Sequence, residues 1–248
     1  MVKGHGKRLL RGVAALLAVA AGAGCVRPAP PALSVREAMA PQSTPTPPLR
    51  MAVRSATIRK VIDSALAQTQ VTRSYDPAYQ TISYPGGDVP IATGVCSDVV
   101  VRAFRAAGVD LQKEIHEDMA AHFGKYPQRW GLQRPDPNID HRRVPNLMTF
   151  FTRQGRSLPV DKRPEMYEPG DVVAWRIRGD MLHVGIVSDQ LTANHVPLIV
   201  DNWGNGTQLE DVLFGWQIIG HYRYFGAGPR RAARAARVAA AIAPAIRS

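Results

Sequence analysis

The strongest constraint on this chain is a change of hydrophobic period at Gly170. Before it, apolar residues recur at helical spacing, and after it they alternate. Over Met51–Gln70, the residues Ile58, Val61, Ile62, Ala65 and Leu66 make one helical stripe. Cys96–Ala107 reads as a second helix, with Val99, Val100, Ala103 and Phe104 inward and Gly108 as its stop. Shorter helices are expected over 111–123 and 143–154, each followed by Gly, and 72–91 reads as loop or short strand. Beyond Gly170, the segments 171–176, 182–188, 196–201 and 216–224 read as successive strands separated by turn residues. Helices followed by an antiparallel meander predict the α+β class.

The formal net charge of +11 suggests a nucleic-acid binder until it is located. Residues 1–50 hold 7 basic and 1 acidic residue, residues 227–248 hold 5 basic and none acidic, and 51–226 hold 19 of each. A neutral folded segment excludes a basic nucleic-acid-binding domain. Residues 1–25 read as an export signal: Lys3, Lys7, Arg8 and Arg11 precede a short apolar run, Val13–Ala21, and small residues lead into Cys25. Acylation of Cys25, as in a bacterial lipoprotein, would attach the protein to a membrane; ordinary cleavage near Ala23 is the alternative, since Gly22 stands where such sites usually carry Leu. Residues 26–50 read as a Pro-rich linker, 51–226 as one domain with an insert near 110–168, and 227–248 as an Ala/Arg-rich tail. Two cysteines and no CxxC pair exclude a disulfide scaffold and a thiolate zinc site.

Cys96 is the only thiol of the 51–226 segment, and it opens a helix. Free backbone N–H groups and the macrodipole at such a position favour the thiolate; packing as a small apolar residue is the alternative. A thiolate nucleophile needs an imidazole, and the imidazole needs an orienting group. His183 opens a strand. If 182–188 and 196–201 form a hairpin about Thr192, paired residues sum to about 384, and residue 183 faces Asp201. A one-residue slip would bring Asn202 there instead, so the orienting group is Asp201 or Asn202. Metal binding through His141, His183 and nearby carboxylates is the weaker option, because no HExxH-type spacing occurs.

Tyr84-Pro85-Gly86-Gly87, followed by Gly94-Val95-Cys96-Ser97-Asp98, resembles the nucleophile region of NlpC-type, papain-like cell-wall cysteine peptidases. Pro169-Gly170-Asp171 and His183-Val184-Gly185-Ile186 are similar to that family's Pro-Gly-Asp strand and its histidine strand. Across 57–226, the stretches Tyr84–Asp98, Trp130–Phe151, His183–Asp189 and His221–Tyr224 resemble a secreted bacterial family, domain of unknown function 1287. The resemblance implies a papain-like α+β domain, with Cys96 as nucleophile, His183 as general base and Asp201 as orienting residue. The Cys96 N–H would serve the oxyanion, and Tyr84 would stand beside the nucleophile. It departs from the peptidases in two ways. Cys96 and His183 are 87 residues apart, longer than typical, and Asp98 replaces the usual Gly.

The insert carries Trp130, His141, Arg142 and Arg143, which together with Tyr84 and Asp98 form the expected substrate-binding set, an arginine meeting a substrate carboxylate. The reading is therefore an exported, monomeric, periplasmic hydrolase, lipid-anchored if Cys25 is acylated. It would cut an amide bond in peptidoglycan stem peptides, without metal or cofactor and without nucleic-acid partners. A non-catalytic module that binds a peptide or glycan in the same cleft is the rival.

Overall fold

The computed structural model describes residues 48–226; the expected export signal, Cys25, most of the expected Pro-rich linker and the expected 227–248 tail lie outside them. Among the described residues, four α-helices precede the main sheet: α1 (Ala56–Val71), α2 (Cys96–Ala106), α3 (Leu111–His122) and α4 (Val144–Arg153). The first begins five residues later than its apolar stripe suggests. Ser55 is the N-cap, its Oγ accepting from the Ile58 N–H at 3.2 Å, and the residues before it run along a strand edge. There the Met51 N–H donates to the Asp189 carbonyl at 2.7 Å, while Arg50 and Arg59 both reach the buried Asp189 carboxylate.

Two short strands, β1 (Ser74–Tyr75) and β2 (Thr93–Gly94), pair in parallel and place Tyr75 opposite Gly94. The main sheet is antiparallel, with β3 (Val172–Arg178), β4 (Met181–Leu191), β5 (Pro197–Asn202), β6 (Thr207–Glu210) and β7 (Gln217–Tyr222) in the order β6-β5-β4-β3-β7. The class is α+β, as its helix-then-strand order predicts. The simple meander needs correction. An additional strand, β6, follows the Trp203–Gly206 turn, and the last strand returns to pair with β3 rather than continuing beyond β5. Four residues are too few to register as alternation, and a return to the far edge depends on which edge is free, which no local pattern encodes.

The alternation itself sorts side chains as expected. Val172, Ala174, Val184, Ile186 and Val200 pack with Val99, Val100, Ala103 and Phe104 of α2 and with Leu147, Phe150 and Phe151 of α4. Tyr167, Val173, Trp175, Val187, Ile199 and Leu213 make a second, smaller core. Each fully buried large side chain of this kind contributes about 1.5–3 kcal/mol, which is what holds the end of α2 against the strands that carry His183 and Asp201.

Candidate active site

The candidate nucleophile, Cys96, is positioned by its own helix start. Val95 is extended, Cys96 is the first helical residue, and the Asp98 carboxylate turns back to accept the Val95 N–H at 2.7 Å. That leaves the Cys96 N–H at the open end of α2, one of the donors an α-helix cannot satisfy internally. Gly94 is required just before it. A Cβ there would lie 3.1 Å from Asp98 Oδ2 and 3.3 Å from Arg102 Nη1.

His183 on β4 meets Asp201 on β5. The imidazole Nε2 donates to Asp201 Oδ2 at 2.7 Å, with both side chains about 1% exposed or less. Pairing of the ring's Nε2 leaves Nδ1 for the thiol. Burial pushes the His183 pKa down, but the charge of the Cys96 thiolate and the hydrogen bonds to Asp201 and Cys96 outweigh it and raise it to about 10. His183 thus lies between Asp201 and the Cys96 side chain, with its proton held tightly. Three tryptophans enclose the ring, Trp175, Trp203 and Trp216, with centroids 5.8, 5.3 and 5.6 Å away. They surround with aromatic surface an imidazole whose side chain is 1% exposed.

The strand register refines the expected pairing. The observed pairs Ile186–Val200 and Val187–Ile199 sum to 386, not 384. A shift of two preserves the face, so His183 and Asp201 meet diagonally. Gly185 makes the approach feasible, since a Cβ on it would lie 3.0 Å from Asp201 Cβ and 2.6 Å from Ile199 Cγ2. The alternative partner, Asn202, points elsewhere. Its Nδ2 donates to the carbonyls of Gly94 at 3.1 Å and Ser74 at 3.3 Å, pinning β5 to the segment that leads into Cys96.

A cleft of about 510 Å³ opens beside Cys96, lined by Tyr75, Tyr79, Arg129, Trp130, Arg142 and Arg143 among others. The Arg143 guanidinium stacks 4.0 Å from the Trp130 ring centroid, and Trp130 is 39% exposed. The geometry therefore joins Cys96, Trp130 and Arg143 in one cavity.

Other members of the expected substrate-binding set are corrected. Arg142 and Asp98 are buried and saturate one another, with Nε and Nη2 each 3.0 Å from the carboxylate, while the same guanidinium donates to the carbonyls of Ala78 and Asp76 at 3.1 Å. Both are thus committed mainly to one another and to the backbone, although Arg142 is among the residues lining the cleft. The Asp98 that stands where the peptidases carry Gly thus fastens the insert to the nucleophile helix, and Ser97 Oγ adds a 2.6 Å bond to the Arg142 carbonyl. His141 is buried, and burial, opposed by the Asp98 charge, lowers its pKa to about 4, so it is a neutral interior side chain. Tyr84 packs on His116 with ring centroids 4.9 Å apart and is not among the residues lining the cleft.

Tyr75 takes the place expected for Tyr84. Burial, followed by the charges of Cys96 and Asp98, raises its pKa to about 12. Sequence reasoning missed it because the β1–β2 pairing that delivers it is only two residues long. It also missed the tryptophans; Trp203, adjacent to Asn202, and Trp175, opposite His183, were the available signal.

A second buried pair, His221 Nε2 to Asp171 Oδ2 at 2.8 Å, has no thiol beside it. Asp171 also takes two bonds from Arg223, and His221 stacks on Tyr167 at 4.3 Å, so this is a structural clasp. Among the described residues, no cluster of three or more His, Cys, Asp or Glu is placed to hold a metal ion.

Comparison with known proteins agrees with the resemblance drawn from the motifs. The chain is 51% identical over 184 residues to an uncharacterized protein, YijF, of Escherichia coli (strain K12), a match covering 74% of this chain and 90% of that one. Among solved structures, it overlaps a protein similar to a lipoprotein of the NLP/P60 family from Staphylococcus aureus subsp. aureus Mu50. That overlap has a TM-score of 0.36 and 14% identity, covering 74% of this chain and 45% of the other, so the chain spans under half of that neighbour. The model for the domain of unknown function DUF1287 matches residues 62–224, and the chain belongs to that family.

Proposed function

We propose that the protein is a cysteine hydrolase of the cell envelope that cleaves an amide bond, with peptidoglycan stem peptides as the substrate class. The observation that carries the reading is the buried 2.7 Å His183–Asp201 pair, whose imidazole answers to the charge of Cys96 at the start of α2. A histidine held this way, with its second nitrogen turned to a thiol, is what nucleophilic catalysis by cysteine requires.

The Cys96 thiolate attacks the amide carbonyl, and the Cys96 N–H at the helix end stabilises the oxyanion. His183 gives its proton to the departing amine, leaving a thioester on Cys96. It then takes a proton from water, which attacks the thioester, and returns that proton to the sulfur as the acid product leaves. Asp201 keeps Nε2 protonated and the ring aimed throughout. The envelope setting rests on the leader of residues 1–25, and the substrate class on the motif resemblance; the Arg143–Trp130 wall suits an anionic peptide.

The test is incubation with purified peptidoglycan fragments and mass analysis of the products, wild type against Cys96→Ala. New amine and carboxyl ends that appear only with wild type are expected. Fragments retained but uncut by both proteins would favour the binding module instead.

A further inference from the structure

The orienting carboxylate has a second oxygen that the arrangement so far does not use. Asp201 Oδ2 holds His183, whereas Oδ1 is buried and has no hydrogen-bond partner among the described residues. An anionic oxygen left unpaired in the interior is costly. The neighbouring strand supplies a candidate partner. Ile199 pairs with Glu210 and Asp201 with Gln208, so Glu210 stands on the same face as Asp201, one diagonal step away, within the reach of a long side chain. Glu210 is itself half-buried.

Two carboxyl groups so placed repel when both are charged, which favours a proton on one of them. Asp201 already accepts the His183 Nε2–H through Oδ2. Glu210 is the group whose pKa is raised, first by burial and then by the charge of Asp201 and a hydrogen bond to it. Among the described residues, the charges acting on Glu210 are those of Asp201 on β5 and His183 on β4.

We propose that Glu210 is a positioning residue of the catalytic group, donating its carboxyl proton to Oδ1 of Asp201 and so completing a line of four side chains, Cys96, His183, Asp201 and Glu210. The inference deepens the catalytic reading and rests on it for its effect on Cys96. It has its own structural content, a protonated glutamate on the outer side of Asp201. Through this bond, Asp201 stays fixed against His183, and the imidazole stays aimed at Cys96.

Two measurements on the full chain test it. The side-chain carboxyl carbon resonance of Glu210 should titrate above the ordinary glutamate range and return toward it in Asp201→Asn. Alkylation of Cys96 by iodoacetamide at fixed neutral pH should be about tenfold slower in Glu210→Ala, the scale of one hydrogen bond to a charged group. In Glu210→Gln, whose amide can still donate, it should stay within about twofold of wild type. Rescue by Gln separates positioning from a purely structural role, and thermal midpoints show that the fold is kept. Ordinary titration of Glu210, wild-type reactivity of the Ala variant, or a Gln variant as slow as Ala would each overturn the proposal. If wild-type Cys96 reacts no faster than free cysteine, the catalytic reading falls, and the carboxyl titration alone still decides whether Glu210 holds the proton.

Discussion

Asp98 and Arg142, 44 residues apart, meet in a buried two-point contact that ties the insert to the first turn of the nucleophile helix. The side chains are 4% and 1% exposed, so neither charge has water to fall back on. Removing one partner leaves the other charged and unpaired, at a typical cost of about 3–5 kcal/mol. Arg142→Met is expected to lower the unfolding free energy by that order in urea titrations. Asp98→Asn should cost less, because the amide oxygen can still accept from both Val95 and Arg142. Equal small losses in the two variants would contradict this account of the pair.

The proposed nucleophile and base can be separated from the fold. Cys96→Ala removes a small side chain at a helix start and should leave the thermal midpoint within a few degrees of wild type. Turnover on stem-peptide amides should vanish in it and in His183→Ala. Retained cleavage by Cys96→Ala would end the proposed mechanism.

His183 makes stability depend on pH in a defined direction. Its folded pKa, about 10, lies above the ordinary histidine value of 6.5. The folded state therefore binds the proton more tightly than the unfolded chain, and the resulting stabilisation is complete below pH 6.5. It is lost as the pH rises from there toward 10. The stability difference between wild type and His183→Gln, followed by chemical unfolding across that range, should shrink toward alkaline pH. A constant difference would mean that the imidazole is not held charged.

His141 works in the opposite sense. Burial lowers its pKa to about 4, so between 6.5 and 4 the unfolded chain takes up a proton that the folded protein refuses. Stability should fall with pH over that window, and His141→Leu should flatten the fall. The neighbouring Asp140, raised to about 6 chiefly by burial, acts against it over part of the same range. The informative quantity is thus the difference between variant and wild type.

Trp130 and Arg143 form one wall of the cleft and touch no part of the His183–Asp201 pair. Trp130→Ala should release the Arg143 guanidinium from its stacked position at 4.0 Å and raise KM for an anionic peptide about three- to tenfold, with kcat changed little. A matching fall in kcat would assign the pair to the chemical step instead.

Much of the nucleophile's setting was readable in the residues. Cys96 at a helix start follows from Val99, Val100, Ala103 and Phe104 recurring at helical spacing ahead of Gly108. The shared face of His183 and Asp201 follows from strand alternation alone. That parity survived an error in register, because the pairing sum is 388 at Leu191–Pro197 and 386 beyond the β4 irregularity, each differing from the expected 384 by an even number. The choice of Asp201 over Asn202 also needed the fold. Both residues can orient an imidazole, and only the direction of each side chain across the sheet separates them.

The sequence by itself determined the longer elements and their faces, since periods of 3.6 and 2 are properties of the local backbone that a long enough window of residues carries. Tertiary structure decided the partners. It turned Asp98 and Arg142 inward, brought Tyr75 in place of Tyr84 to the nucleophile, closed three tryptophans around His183 and set Glu210 beside Asp201. Each of these depends on segments distant in the chain meeting in a medium where an unpaired charge is costly, and neither that distance nor that burial is written in any local pattern.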